Sequence, residues 1–360
     1  MSDIGNLFCE VLRATLCDTD LTAVTNEEWQ LCYDNALRQQ VLAMMFPVVS
    51  SLPKEQRPPF ELWSRWMAYT QHTAARSRHK QEVVKKIGKW LPEEGLTTTI
   101  IKGFSLASLY PQPELRECGD IDIYSAGGYE AVNVCLAKHG LTIGKADGHH
   151  CHITIDGESV EHHFSFGNSR TQHVKEEMEE TLRRLVTTAS RPTAMPGIVF
   201  PNATFTALYT GWHAYKHFLS EKIVLRHVID WALALKALSA EEAESVCVAK
   251  EKGRWGRFAD TMTAIALHRI CLPMEWFPQQ EVVRASTIAP EMEQRVWDDM
   301  MEAGRTAKGR SANHKRLNIA RRLIQNRWKF DAFADESAWS YLWMEFAGWM
   351  RAANQWDSKI

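Results

Sequence analysis

The chain has 360 residues, 45% of them hydrophobic, and a formal net charge of −2. That size and apolar content allow two or three domains with real cores, and the near-neutral charge excludes a protein held to nucleic acid by its overall charge. Eight cysteines at 9, 17, 32, 118, 135, 151, 247 and 271 form no Cys-x-x-Cys pair, so a zinc ribbon or dithiol redox motif is excluded.

Scattered cysteines in a chain this long read as reduced, buried thiols. The Met-Ser-Asp start has no basic stretch followed by an apolar one, so no signal peptide is expected. No apolar run nears the about 20 residues that span a bilayer. The expectation is a cytoplasmic protein with no membrane partner.

Residues 1–94 read as helical. Thr25-Asn26-Glu27-Glu28 has the form of a capping box, and Trp29, Cys32, Tyr33, Ala36, Leu37 and Val41 follow at helical spacing. Pro47 and Pro53 are expected to break the chain. Phe60 to Trp90 reads as one long helix, with Leu62, Trp63, Trp66, Tyr69 and Thr73 on one face, ended by Pro92 and Gly95.

The character changes over 95–200. Thr97 to Ile101 is a short β-branched strand, Ser105 to Tyr110 suggests a helix, and Pro111 and Pro113 mark a loop. Asp120 to Tyr124 is a second strand, and Tyr129 to His139 a helix stopped by Gly140. Cys151 to Ile155 and Val160 to Phe166 alternate around Asp156-Gly157, the composition of a hairpin turn. A helix is expected over Thr171 to Thr188. Residues 201–360 return to helices, with Ala203 to Leu219, Ile223 to Leu238 and Trp339 to Trp356 the strongest. The expected fold class is α+β: a small mixed-sheet core over 95–200, flanked by an N-terminal helical region over 1–94 and a C-terminal helical domain over 201–360.

The chemistry concentrates at the core. Asp120 and Asp122 stand two apart on a strand, so they share a face while Ile121 and Ile123 enter the interior. Adjacent carboxylates repel unless a hard cation such as Mg²⁺ lies between them. On the second hairpin strand Val160, His162 and Phe164 point one way and Glu161, His163 and Ser165 the other. Beside Asp120–Tyr124, Glu161 would complete a three-carboxylate cluster of the kind two-metal chemistry needs. The plain alternative is a pair of solvated aspartates on an edge strand.

Lys102-Gly103-Phe104-Ser105 follows the first strand. Lys102 would touch phosphate or solvent, Gly103 would permit close backbone approach, and Ser105 would donate to phosphate or cap the next helix. Arg116 would hold a triphosphate oxygen or pair with Asp120 or Glu117. Lys216 and Arg226 could reach a nucleotide from the C-terminal helices, or belong to a polar cluster there. Arg226 and Asp230 are i,i+4 and suit a helical ion pair.

Two further features are legible. His149, His150, His152, His162 and His163 could place His152 with His162 or His163 across the hairpin as a zinc site, without H-E-x-x-H or finger spacing. The favoured account of these histidines is partly exposed strand residues near a substrate. The stretch 305–329 carries nine positive charges and no acid, which suits RNA or a solvated basic face.

Lys-Gly-x-Ser, Arg-x-x-x-Asp-Ile-Asp, the strand glutamate, His-x-x-x-His and Leu-Arg-x-x-x-Asp-Trp together resemble bacterial nucleotidyltransferases of the DNA polymerase beta-like superfamily over about residues 60–240. The superfamily's glycine-serine or glycine-glycine pair reads here as Gly103-Phe104-Ser105. The resemblance implies Asp120, Asp122 and Glu161 as ligands of two Mg²⁺ ions. It implies an NTP such as ATP as substrate and transfer of its NMP to a hydroxyl with release of pyrophosphate. Gly103 and Ser105 would cradle the β- and γ-phosphates with Lys102 or Arg116. The acceptor stays open among a protein, RNA and a small molecule. A catalytically silent nucleotide-binding or partner-binding protein of the toxin–antitoxin type, and a zinc-dependent hydrolase, are the alternatives.

Overall fold

The computed structural model describes residues 6–19, 21, 28–166, 173–303 and 324–340. The capping-box residues Thr25 to Glu27, most of the basic stretch 305–329 and most of the expected helix Trp339–Trp356 lie outside the described residues.

The N-terminal helices are α1 (Asn6–Cys17), α2 (Trp29–Arg38), α3 (Leu42–Ser51) and α4 (Phe60–Glu93). The expected break at Pro47 is corrected, and the expected end of the long helix at Pro92 and Gly95 is met. Pro47 lies inside α3, where burial of Leu42, Ala43, Met44, Met45 and Val49 outweighs the lost backbone bond. Pro92 lies in the last turn of α4, and the chain reverses at Gly95, whose φ of +68° suits glycine.

The core alternates strands and helices: β1 (Thr98–Ile100), α5 (Phe104–Ala107), β2 (Ile121–Tyr124), α6 (Tyr129–Lys138), β3 (Ile143–Asp147), β4 (His150–Ile155), β5 (Glu158–His163), α7 (His173–Thr187), β6 (Arg191–Pro192) and β7 (Ile198–Phe200). They form a seven-stranded mixed sheet in the order β3-β4-β5-β2-β1-β7-β6. β2 runs antiparallel to β1 and parallel to β5; β4 and β5 form the expected hairpin. Its two turn residues, Asp156 and Gly157, both have positive φ, 51° and 82°, as a type I′ turn requires. β3, β6 and β7 were not legible in the sequence. The helix after Gly103 is one turn, shorter than Ser105 to Tyr110 suggested.

The C-terminal helices are α8 (Ala203–Ser220), α9 (Leu225–Lys236), α10 (Ala240–Glu251), α11 (Trp255–His268), α12 (Gln279–Ser286), α13 (Pro290–Met301) and α14 (Arg327–Phe333). The architecture is α+β, with helical regions on both sides of the sheet.

Two apolar clusters hold it. Val83, Val84, Ile87 and Leu91 of α4 and Val132, Cys135 and Leu136 of α6 pack on Ile100, Ile121, Ile123, Ile153 and Val160 of the sheet. The larger cluster joins α1, α2, α3 and the start of α4 to α8, α9, α11 and α13, so the two helical regions share one interior. Gln39 ties them by polar bonds: its Nε2 donates to Met300 O at 3.0 Å, and its Oε1 accepts from Leu225 N at 2.7 Å. No helix among the described residues is long and apolar enough to cross a membrane.

Candidate active site

Asp122 and Glu161 meet because β2 and β5 are adjacent and parallel. Asp122 lies directly opposite Glu161 in the register, and Tyr124 opposite His163. Ile121, Ile123 and Val160 point to α4 and α6, so alternation turns Asp122, Glu161 and His163 to the other face. The sequence left this adjacency as a condition and expected Asp120 as a third carboxylate; the strands are adjacent, but the close group holds Asp122 and Glu161 without Asp120.

The Asp122 carboxylate is buried. Its Oδ1 accepts from Lys102 Nζ at 2.8 Å and from His163 Nε2 at 3.1 Å. Its Oδ2 has no hydrogen-bond partner. Burial alone would raise this carboxyl, but Lys102 and His163 hold it well below the usual carboxylate range. The Glu161 carboxyl is also lowered, chiefly by its hydrogen bond with His163. His163 lies 3.5 Å from Glu161 Oε2 and is buried; the two carboxylates raise its ring against the cost of burial. Donor atoms of Asp122, Glu161 and His163 all lie within 4.8 Å of one another.

Helix α8 closes over this face. Tyr209, His213 and Lys216 fall at i, i+4 and i+7, so they line one side of the helix. Burial and the Asp122 and Glu161 charges raise the Tyr209 hydroxyl well above its ordinary value. Burial and Lys102 keep His213 neutral. Lys216 Nζ donates to Phe166 O at 2.8 Å, and burial and Lys102 lower it to about 8. The two carboxylates and the ammonium groups of Lys102 and Lys216 thus gather on one face of the sheet, charges that can offset a cation and a polyphosphate.

The other expected site residues are placed as follows. Asp120 is exposed, immediately before β2, and has no place in the close donor group of Asp122, Glu161 and His163. Gly103 has φ +65° and ψ −100° and starts α5, whose first N–H groups have no acceptor within the helix. Ser105 is completely buried and its Oγ has no partner.

Arg116 does not face the carboxylate pair. Its Nε and Nη2 donate to Asp230 Oδ1 and Oδ2 at 2.8 and 2.7 Å, a buried two-pronged pair. The sequence left an ion pair open but named Asp120 or Glu117 as its partner; fold topology supplies Asp230 from α9 instead. Arg226 joins the same cluster, 3.3 Å from Asp230 Oδ2, which is the expected i,i+4 pair, and its Nε donates to Gln40 Oε1 at 3.0 Å. Both arginines thus belong to the seam between core and helices.

The histidines divide by strand face. His162 points into the interior, with Nδ1 2.8 Å from Asn133 Oδ1 and Nε2 3.0 Å from Ser125 Oγ; burial lowers it to about 3. His163 is buried rather than partly exposed, a correction to the general reading of these residues. Sequence reasoning missed His163 as the link between the two carboxylates. Its i,i+2 spacing from Glu161 was the available signal. Tyr209 and His213 were missed as the roof of the site.

Residues 25–270 match the family model described as uncharacterised nucleotidyltransferase, and the chain belongs to that family. No curated protein and no solved structure matches it.

Proposed function

We propose that this nucleotidyltransferase family member transfers the nucleoside monophosphate of an NTP, ATP being the first choice, to a hydroxyl acceptor. The acceptor oxygen forms a bond to the α-phosphorus, the bond from that phosphorus to the β-phosphate bridging oxygen breaks, and pyrophosphate leaves. The acceptor's proton passes to Glu161. The observation that carries this reading is the direct Asp122–Glu161 pairing on neighbouring parallel strands, with Asp122 Oδ2 buried and unpartnered.

That unpartnered oxygen and the Glu161 carboxylate fit a hard divalent cation. Asp122 and Glu161 would hold Mg²⁺, and Asp120, outside this donor group, would not be a ligand. Bound there, Mg²⁺ would offset the charge of the triphosphate and favour loss of the acceptor's proton. Lys102 exchanges Asp122 for a phosphate oxygen when the nucleotide enters, and Lys216 faces the same space from α8. The turn at Gly103 presents backbone N–H groups to the β- and γ-phosphates. His163 keeps the two carboxylates in place through its hydrogen bonds.

A catalytically silent nucleotide-binding protein is the second reading. It is favoured by Lys102 and His163 both engaging Asp122, and by the burial of Ser105. Incubation with each α-³²P-labelled NTP, Mg²⁺ and a cell lysate separates the two. The enzyme predicts label on a protein, RNA or small molecule, lost in Asp122→Asn. Tight nucleotide binding without label transfer from any NTP would instead support the silent reading.

A further inference from the structure

The β4–β5 hairpin carries a second constellation that shares only Glu161 with the site proposed for nucleotidyl transfer. His150 lies directly opposite His163, and His152 directly opposite Glu161. Alternation therefore sets all four on the face that bears Asp122. His150 Nε2 and His152 Nε2 are 3.1 Å apart. Glu161 Oε1 lies 3.7 Å from His150 Nε2 and 3.9 Å from the His152 ring at Nδ1. The other oxygen, Oε2, turns instead to His163. One carboxylate thus offers an oxygen to each of two groups, His150 with His152 and His163 with Asp122, and within each group the donors lie inside 4.8 Å.

With one atom from each residue, the donors of His150, His152 and Glu161 lie within 4.8 Å of one another, and the 3.1 Å between the two Nε2 atoms is near the spacing of ligands on one ion. Donors bound tetrahedrally at about 2.0–2.1 Å stand about 3.3 Å apart. Two imidazoles and a carboxylate suit zinc and its neighbours, whereas Mg²⁺ prefers oxygen throughout. The buried Nδ1 atoms of His149 and His150 have no hydrogen-bond partner. The His152 side chain is 54% exposed against 14% for His150, which leaves one ligand at the surface as a path of entry.

We infer that the hairpin binds one zinc-class transition-metal ion through His150, His152 and Glu161, with Glu161 shared between this ion and the Asp122 side of the cleft. The inference does not depend on nucleotidyl transfer, because binding is measured with no nucleotide present. The competing account of the 3.1 Å contact is an N–H···N hydrogen bond between two rings with no ion.

Full-length protein made without a histidine tag, stripped with chelator and dialysed, is titrated calorimetrically with Zn²⁺ and, in parallel, with Co²⁺ followed by visible absorption. The expected result is one equivalent bound, a cobalt spectrum of low coordination number, and at least tenfold weaker binding in His150→Ala and in His152→Gln. His152 is largely exposed, so His152→Gln folds, and circular dichroism checks both variants. His139→Ala, away from the hairpin, binds as the parent does. No stoichiometric zinc in the parent, or equal affinity in His152→Gln, overturns the site.

Discussion

Asp230→Asn tests the claim that Arg116 is a clamp and not a phosphate ligand. Asp230 accepts both prongs of Arg116, the Tyr110 hydroxyl at 2.7 Å and Arg226 at 3.3 Å; Asp230, Arg116 and Tyr110 are buried and Arg226 is partly exposed. Asparagine keeps the shape but leaves two guanidinium charges without their counter-charge. Removing one partner of a buried ion pair costs about 3–5 kcal/mol. With an unfolding entropy of about 2.1 cal/mol/K per residue, a chain of this length should melt about 4–7 °C lower. Calorimetry and urea titration read the loss, and a double-mutant cycle with Arg116→Met should show a coupling of about 2 kcal/mol or more between the positions. Replacing both partners with apolar residues should recover most of the stability, since a hydrophobic pair of similar volume fills such a site well. The affinity for an NTP should change less than threefold in Asp230→Asn. A melting point within 1 °C of the parent, or a selective loss of nucleotide affinity at unchanged stability, would refute the clamp.

Three shorter predictions follow from the same geometry. Asp122→Asn should reduce label transfer about a hundredfold or more, because several kcal/mol of charge stabilisation disappear at the cation site; activity within tenfold of the parent would remove Asp122 from the chemistry. Gly103→Ala should destabilise by about 1–3 kcal/mol through backbone strain alone, since an added Cβ meets its nearest neighbour, Asp120 O, at an ordinary 3.5 Å; unchanged stability would place the turn elsewhere in φ,ψ space. The Asp230 carboxyl is held down to about 2: burial opposes this, and Arg116 and its hydrogen bonds prevail. Its contribution, about 2–3 kcal/mol, is therefore complete above about pH 4 and is lost as pH falls through about 2. Urea midpoints between pH 5 and 2 should fall in the parent more steeply than in Asp230→Asn, and parallel curves would count against the pairing.

The limits of the sequence are physical. Alternation within β2 and β5, and the Asp156-Gly157 turn between β4 and β5, are local, so the faces of Asp122, Glu161 and His163 could be read from spacing. β6 and β7 are two and three residues long, too short for any period, and exist because β7 pairs with β1. Asp230 as the partner of Arg116 was invisible for a different reason: 114 residues separate them, and only the docking of α9 against the core joins them. Pro47 shows the converse, a strong local breaker overruled by the burial of its neighbours.

What brings the two acids together is a register, and the register is set by residues that do no chemistry. In the β2–β5 pair, Ile121 faces Val160 and Ile123 faces His162, all buried. A slip of one residue would turn Val160 and His162 out and drive Glu161 and His163 into the apolar layer under α4 and α6. Apolar burial alone would tolerate some looseness here, because His162 is polar. Its bonds to Asn133 on α6 and to Ser125 just after β2 remove that freedom, for a slip of two residues, which keeps the ring inside, would part it from both partners. The inward histidine therefore fixes the position of the outward glutamate beside it, and Asp122 meets Glu161 without any direct bond between them.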